Sequence, residues 1–458
     1  MPARWLCNIV WILCLAGGCA SYNDRLDPTV RAYRAGDFAA AARLAGDLDL
    51  GRQDRLLGLL ERGKALQDAG QHANSAAVFA EADKLLEVFE SQPLVRLSEE
   101  TGSVLVNDTV REYRGTHADA ILLSTYQALN YVALGDIQQA RVQLRRAYRR
   151  QQLAVQANAG RIEDAQKRAS REGLDLSRVL GNAPGTAGRL DRVETRITPA
   201  YADFANPFTT FLGGVVATLA GDTSDAQVEF RRAAGMVPRN TYAATLAAGE
   251  GLIEAWRRGD GYVVVLYEGG LGPRLEEVGL PILTRNGGYT EIYLPVLNPA
   301  PPPPPLLLQT PTGTFETAPL ADVSAIRGQE YLANLPATIV RLALSATAKE
   351  LGTRQMRKEY DEIGIILGSV YKLATAQADL RLWRTTGSGF EVAAFAPPPD
   401  GRVTLRLPGG AATTVTTPPE AITILLVRGV SGNLSVTPVI FGPDRGPSLA
   451  DERRKGLR

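Results

Sequence analysis

Few residues in this chain are equipped for chemistry, and they are unevenly placed. All three cysteines, Cys7, Cys14 and Cys19, fall in the first nineteen residues, so the rest of the chain has neither a disulfide nor a thiolate metal site. Histidine is confined to His72 and His117, in no ligand-like spacing. A histidine-rich metal centre is thereby ruled out, and any serine or cysteine triad would depend on one isolated base. The run Glu268-Gly-Gly-Leu-Gly-Pro-Arg274 has the glycines of a phosphate-cradling loop. It lacks the lysine and the Ser/Thr such loops use, and Pro273 removes an amide donor, so a strand-to-loop turn is the better reading. Glu276 and Glu277 are adjacent and point apart, which suits surface charge better than an acid/base pair. The densest charged cluster is Arg141, Arg145, Arg146, Arg149 and Arg150. Within it Arg141, Arg145 and Arg149 share a helix face at steps of four and repel unless carboxylates lie against them. The bland reading is a solvated face balanced by local glutamates; the functional one makes these three the candidate contact for an acidic partner. No catalytic, metal or cofactor site is expected, and the chain is read as a non-enzyme.

The N-terminus reads as an export signal over residues 1–18. Arg4 supplies a positive charge, Trp5 to Leu15 is apolar except for Asn8, and Ala16-Gly17-Gly18 is a small-residue stretch. It is too short to span a bilayer. Small residues ending in Cys19 resemble the lipobox of bacterial lipoproteins, with Ala16 where leucine is usual and Leu15 one place earlier. The resemblance implies cleavage before Cys19 and its lipidation; each buried acyl methylene then contributes roughly 0.8 kcal/mol of anchoring. Neither Ala20 nor Ser21 is the aspartate that retains such proteins at the inner membrane, so the expected location is the outer membrane, facing the periplasm. With 50 basic and 49 acidic residues, net +1, no global field draws the chain to nucleic acid.

The elements that must position these residues begin with a repeat. Gly63, Leu66, Gly70, Ser75, Phe79 and Ala82 are spaced by 3, 4, 5, 4 and 3 residues. Ala128, Tyr131, Gly135, Ala140, Leu144 and Ala147 repeat those steps, as do Gly214, Ala217, Gly221, Ala226, Phe230 and Ala233. A partial copy is Gly36, Ala41, Ala45 and Leu48, with Gly36 and Gly70 separated by 34 residues. Steps of three and four stay on one helix face, while the central step of five breaks it, so each copy predicts a helix hairpin. Gly36-Asp37, Gly135-Asp136 and Gly221-Asp222 combine a permissive glycine with an aspartate able to cap the next helix. Phe79, Leu144 and Phe230 are expected to fill the space between hairpins.

This pattern resembles the tetratricopeptide repeat, which implies a concave face that binds peptides or proteins. The stretch from Ser103 to Gln151 carries Asn107-Asp108, Tyr113-Arg114-Gly115, Asp119, Tyr126 to Tyr131, Gly135-Asp136 and Ala140-Arg141-Val142. It is similar to an uncharacterised family of bacterial lipoproteins with tetratricopeptide-like repeats, whose pattern has glutamate where this chain has Asp119. Val263 to Arg274 and Ala378 to Arg384 resemble later motifs of the same family. Members are often encoded beside a lipoprotein activator of penicillin-binding proteins, which implies cell-wall work.

After Trp256 the texture changes. Tyr262 to Tyr267 and Thr290 to Leu297 read as strands with Gly287-Gly288 as turn material between them. Pro336 to Trp383 reads mainly as helix, with Gly352, Gly364 and Gly368 as breaks. Further strands are expected at Phe390 to Phe395, Arg402 to Leu407, Ile422 to Val427 and Leu434 to Phe441. The expected fold is α+β and multidomain: an all-α repeat domain over 19–260, then a smaller domain over 261–442 in which an antiparallel sheet is covered by the long helical segment. A Pro-rich loop over 299–312 serves as a spacer or as a ligand for a proline-binding partner, and 443–458 is a disordered tail. Solenoid contacts are local, so the repeat half is expected to fold by itself. The leading function is an outer-membrane-anchored scaffold binding envelope proteins. The alternatives are a glycan- or peptidoglycan-binding module in the C-terminal domain and, behind it, an envelope hydrolase.

Overall fold

The computed structural model describes residues 22–48, 51–91, 111–171, 186–283, 289–347 and 377–442. Cys19 and the signal segment, Asn107-Asp108, Gly287-Gly288, the helical expectation over 348–376 and the C-terminal tail lie outside the described residues. The fold is mixed α+β, with helices first and several small sheets after them.

Four helix hairpins build the first half. They are α1 (Tyr22–Arg34) with α2 (Phe38–Gly46), α3 (Arg55–Asp68) with α4 (His72–Ser91), α5 (His117–Ala133) with α6 (Ile137–Arg171), and, after α7 (Thr186–Glu194), α8 (Pro207–Leu219) with α9 (Thr223–Met236). Each turn is the same device. The glycine is left-handed, with φ of 75° at Gly36, 74° at Gly70, 75° at Gly135 and 82° at Gly221. Its amide bonds back three residues and the next amide bonds back five, as in Gly70 to Gln67 and Gln71 to Leu66. That pair of bonds satisfies the orphan carbonyls of the first helix. Asp37, Asp136 and Asp222 then accept the amides of Ala40, Gln139 and Asp225 and cap the second helix.

One packing expectation, that the aromatic rings fill the space between hairpins, is corrected for Phe230 and holds in part for Phe79. A Cβ on Gly63 would sit 2.4 Å from the ring of Phe79, and one on Gly214 would sit 2.6 Å from Phe230. Each ring therefore fills a slot between the two helices of its own hairpin that the missing side chain leaves; Phe230 meets Phe211 there, while Phe79 also reaches the next hairpin and stacks on Tyr126 of α5 at 6.4 Å.

Helices α10 (Thr241–Ala247) and α11 (Leu252–Arg258) end the helical half at left-handed Gly259, with β1 (Tyr262–Gly269) beginning three residues later. The second half contains β2 (Arg274–Leu283), β3 (Tyr289–Asn298), β4 (Leu307–Thr310), β5 (Gly313–Glu316), β6 (Ala318–Asp322), the helix α12 over 323–347, β7 (Gly389–Phe395), β8 (Arg402–Arg406), β9 (Ala412–Thr416), β10 (Ile422–Val430) and β11 (Asn433–Phe441). The expected single antiparallel sheet is in fact three sheets. A five-stranded sheet has the order β11-β10-β1-β7-β6, a four-stranded one β5-β4-β8-β9, and β2 pairs with β3. Within the first, β1 runs parallel to β10, a pairing across 160 residues of chain that local patterning does not reveal. The helical expectation from Pro336 to Trp383 is also shifted: α12 starts at residue 323, and residues 377–384 are irregular. The Pro-rich loop stops short of its expected end, since β4 begins at Leu307.

Every residue of β1 is buried. Its alternate side chains explain why. Val264 and Leu266 join a core shared with the helices, while Val263, Val265 and Tyr267 join a second core shared with Leu308, Val403 and Leu405 of the four-stranded sheet. The molecule is thus layered as helices, large sheet and small sheet, with α12 packing on the β2–β3 hairpin through Leu335, Ile339, Leu294 and Val296. The first core is continuous from Leu26 of α1 to Phe441 of β11.

Candidate functional site

The ionisable side chains converge on the seam between helices and sheet. On α3, Lys64 and Asp68 are one turn apart and both face inward, with Lys64 fully buried. They form an ion pair with each other, and the Lys64 ammonium also lies 3.0 Å from Glu268, at the end of β1. Arg428, near the end of the apolar strand β10, lies 3.1 Å from Asp68 and donates to the Glu268 carbonyl. Tyr33 donates to Asp68 at 3.0 Å, Tyr126 to Glu268 at 2.7 Å, and the amide of Gly387 to Glu268 at 2.5 Å. The result is two cations and two carboxylates removed from water and neutral as a group. Burial alone would raise both carboxyls. For Glu268 the charges of Lys64 and Arg428 win and hold it below the usual carboxylate range. For Asp68 burial wins over the same two cations, reinforced by the nearby Glu268 charge, and holds it above.

Three further clusters tie the halves together. Asp119 of α5 pairs with Arg327 of α12 at 2.8 Å and accepts the Tyr113 hydroxyl at 2.7 Å. It also completes a capping box with Thr116 at the start of α5. Glu330, one turn along α12, accepts the amides of His117 and Ala118 at that same helix start. Arg381 bridges Asp54 and Asp379 at 2.8 and 2.7 Å. Glu61 of α3 accepts the Tyr22 hydroxyl and the backbone amides of Arg384 and Thr385.

These last contacts identify what fills the inner side of the hairpins. The irregular segment 378–388 runs across α1, α3 and α5 and is gripped by its backbone. Asn23 takes the carbonyl of Leu380, Arg327 that of Trp383 and Arg428 that of Thr385. The fully buried Trp383 packs edge-on against Phe79 and Tyr126. A partner-binding inner face was the expectation from the repeat; the chain's own segment and sheet occupy it.

A small pocket of about 40 Å³ remains beside the central cluster, lined by Gln67, Asp68, His72, Glu268, Arg428 and Thr437 among others. That is room for a water or two, far below the several hundred Å³ of a typical ligand site. His72 sits between Asn130 and Thr437, at 3.3 and 3.2 Å from their oxygens. The arrangement can hold charge and order a solvent molecule. Its carboxylates each accept from cations and donors of both halves, so the cluster ties the helices to the sheet.

The arginines of α6 are split by the structure. Arg141 is half-buried and pairs with Asp222 at 3.1 Å, whereas Arg145 and Arg149 are exposed. Arg146 faces Asp83 and Glu87 of α4, and Arg150, 1% exposed, pairs with Asp83 and Glu90. The shared face of Arg141, Arg145 and Arg149 is thus two roles, because the neighbouring hairpin presents a carboxylate only to Arg141. Glu276 and Glu277 do point apart: Glu276 meets Arg189 and Arg274, while Glu277 accepts the Ala378 amide.

Sequence reasoning missed Lys64, Asp68, Glu61, Arg327 and Arg428. A signal existed in the charges set on the apolar face of Leu56 to Ala69 and in an arginine inside Ile422 to Val430. Among the described residues no helix is long and apolar enough to cross a membrane, and no cluster of metal-ligating side chains occurs. No protein-family model, curated protein or solved structure matches the chain.

Proposed function

We propose that the protein is a lipoprotein of the bacterial envelope, anchored through Cys19 in the outer membrane and facing the periplasm, where it acts as a scaffold for other envelope proteins in cell-wall assembly. In this reading its hairpins are tetratricopeptide-like units, the chain belongs with the uncharacterised lipoproteins it resembles, and it catalyses no reaction. The observation that carries the scaffold reading is where apolar surface remains. Seven large apolar side chains are exposed among the described residues, from Leu44 to Val228, and all lie on the helical half between α2 and α9. Singly such residues mean nothing. Their restriction to the second helices and one turn of the hairpins, with the described strands exposing none, supports the outer helical layer as the surface for partners.

Two measurements test it. Cys19→Ser is expected to leave the protein exported but soluble in the periplasm and without labelled fatty acid; unchanged membrane fractionation would overturn the anchor. In-cell cross-linking from the outer helices is expected to capture a reproducible set of envelope proteins. Binding of the purified protein to bare cell-wall sacculi, with no protein adduct, would replace the scaffold by a glycan-binding module.

A further inference from the structure

We propose that the outward face of α6 and α9 docks an acidic, partly apolar helix of a partner protein. The inference rests on the scaffold reading and specifies the partner's chemistry. Between Ile137 and Asn158, α6 carries five arginines and no carboxylate. Three of the five are consumed inside the molecule: Arg146 and Arg150 by the acids of α4, and Arg141 by Asp222. Arg145 and Arg149 remain exposed one turn apart, and Val142 and Leu153 continue their stripe at helical steps of three and four, 44% and 41% exposed. Beside the stripe, Tyr148 is 48% exposed and carries the guanidinium of Arg232 from α9 at 5.4 Å over its ring. Val228 of α9 is 53% exposed. The nearby acids each face a cation of the molecule: Glu229 pairs with Arg232, Asp222 with Arg141, and the more exposed Asp225 lies 3.8 Å from the same Arg141 guanidinium.

The surface therefore presents two cations four residues apart, framed by four apolar side chains. A helix bearing carboxylates at the same four-residue spacing would meet both guanidinium groups in forked contacts. Its flanking apolar residues would cover Val142, Leu153, Tyr148 and Val228. An anionic bilayer could answer the charge as well. It fits the rest poorly, because the apolar side chains are half sunk among their neighbours and the arginines occupy the middle of the face, whereas an interfacial helix segregates the two.

The test uses the full mature chain with Cys19→Ser and a fluorescent helical peptide of about five turns, with Glu at four-residue spacing beside Leu. A Gln-for-Glu peptide and vesicles of phosphatidylglycerol are the comparisons. The acidic peptide is expected to bind at low salt and weaken as salt rises. Arg145→Glu/Arg149→Glu should weaken binding about tenfold and Val142→Ser/Leu153→Ser several-fold. Arg402→Glu at the exposed start of β8 should leave it unchanged, and all variants should keep the parent melting temperature. Equal binding of the Gln peptide, or no loss in the arginine variant, overturns the proposal. So does vesicle binding that competes with the peptide, which would make the face a membrane contact. In cells, photo-cross-linkers separate this inference from the scaffold reading. Adducts from Leu44 or Val88 with none from Val142 or Val228 overturn the docking face alone; adducts from none of the four overturn both.

Discussion

At the residue scale, the seam charges set the sharpest expectations. Lys64 is shared by Asp68 and Glu268, so Lys64→Met leaves two buried carboxylates to a single cation, Arg428. Removing one partner of a buried ionic group costs about 3–5 kcal/mol. Urea unfolding should therefore show Lys64→Met and Glu268→Gln each strongly destabilised, with the double variant well short of the sum, since the second change finds the pair already broken. Additive losses would mean that the two residues act independently. Glu391 on β7 gives a pH test. Burial, and secondarily Glu316, push its carboxyl up to about 7, although the Thr317 hydroxyl bonds to it. A carboxyl raised in the folded state is protonated there while the unfolded chain has already released its proton. This group's contribution is thus full in acid and falls as pH rises from the ordinary carboxylate range to about 7. The stability difference between the parent and Glu391→Gln should drift across that window and flatten above it; a constant difference would refute the assignment. Glu268 stood out only as the head of a glycine-rich turn and Glu391 not at all, because the burial of a glutamate ending one strand or sitting inside another depends on the layer that covers it.

At the element scale, the hairpins were legible because their information is local. A helical period, a step of five across a glycine and a following aspartate specify the turn without reference to anything distant. The strands were legible where apolar or β-branched residues run or alternate without interruption, as in Tyr262 to Tyr267 and the five-residue Arg402 to Arg406, and missed where they were glycine- and proline-laden or very short, as in Arg274 to Leu283 and Leu307 to Thr310. The hairpin slot makes a prediction that separates two uses of glycine. Gly63 lies in mid-helix, where alanine alone would favour the helix by about 1 kcal/mol. Its Cβ would nevertheless stand 2.4 Å from Phe79, so Gly63→Ala should destabilise by about 1–3 kcal/mol through overpacking, and Phe79→Leu should partly relieve it. Gly188 of α7 has open space around the same atom, and Gly188→Ala should be neutral or mildly stabilising. Gly70 also has open space but sits at φ 74°, so Gly70→Ala should lose about 1–2 kcal/mol for a purely conformational reason that no change at Phe79 relieves. Thermal melts of the three variants check the order.

At the scale of the whole molecule, the repeat pattern suggests a helical half that stands alone, and the packing argues the reverse. Solenoid stability is a sum over neighbouring hairpins only when the inner faces need nothing else. Here the inner faces of α3 and α5 bury Lys64, Asp68, Glu61 and Asp119, whose partners Glu268, Arg428, the amides of 384 and 385, and Arg327 all come from the second half. The apolar contribution follows the same route, since Phe79 and Tyr126 pack on Trp383, and Phe208 stacks on Phe390 at 4.0 Å between ring centres. A fragment of residues 22–259 would open that core: Lys64 and Asp68 would keep each other but lose Glu268 and Arg428, Asp119 would lose Arg327, and Glu61 would lose the amides it accepts, all still enclosed by helices. Hydration would relieve them only by spreading the hairpins apart. The fragment is therefore expected to retain helical circular dichroism from its local hairpin turns while losing a sharp melting transition and binding a hydrophobic dye. Supplying residues 260–442 in trans should restore cooperativity if the two halves recognise each other through the seam, and Arg428→Met in the second piece should weaken that rescue. A fragment that melts cooperatively alone, with the stability of the parent, would show instead that the seam charges are a latch between two independent bodies.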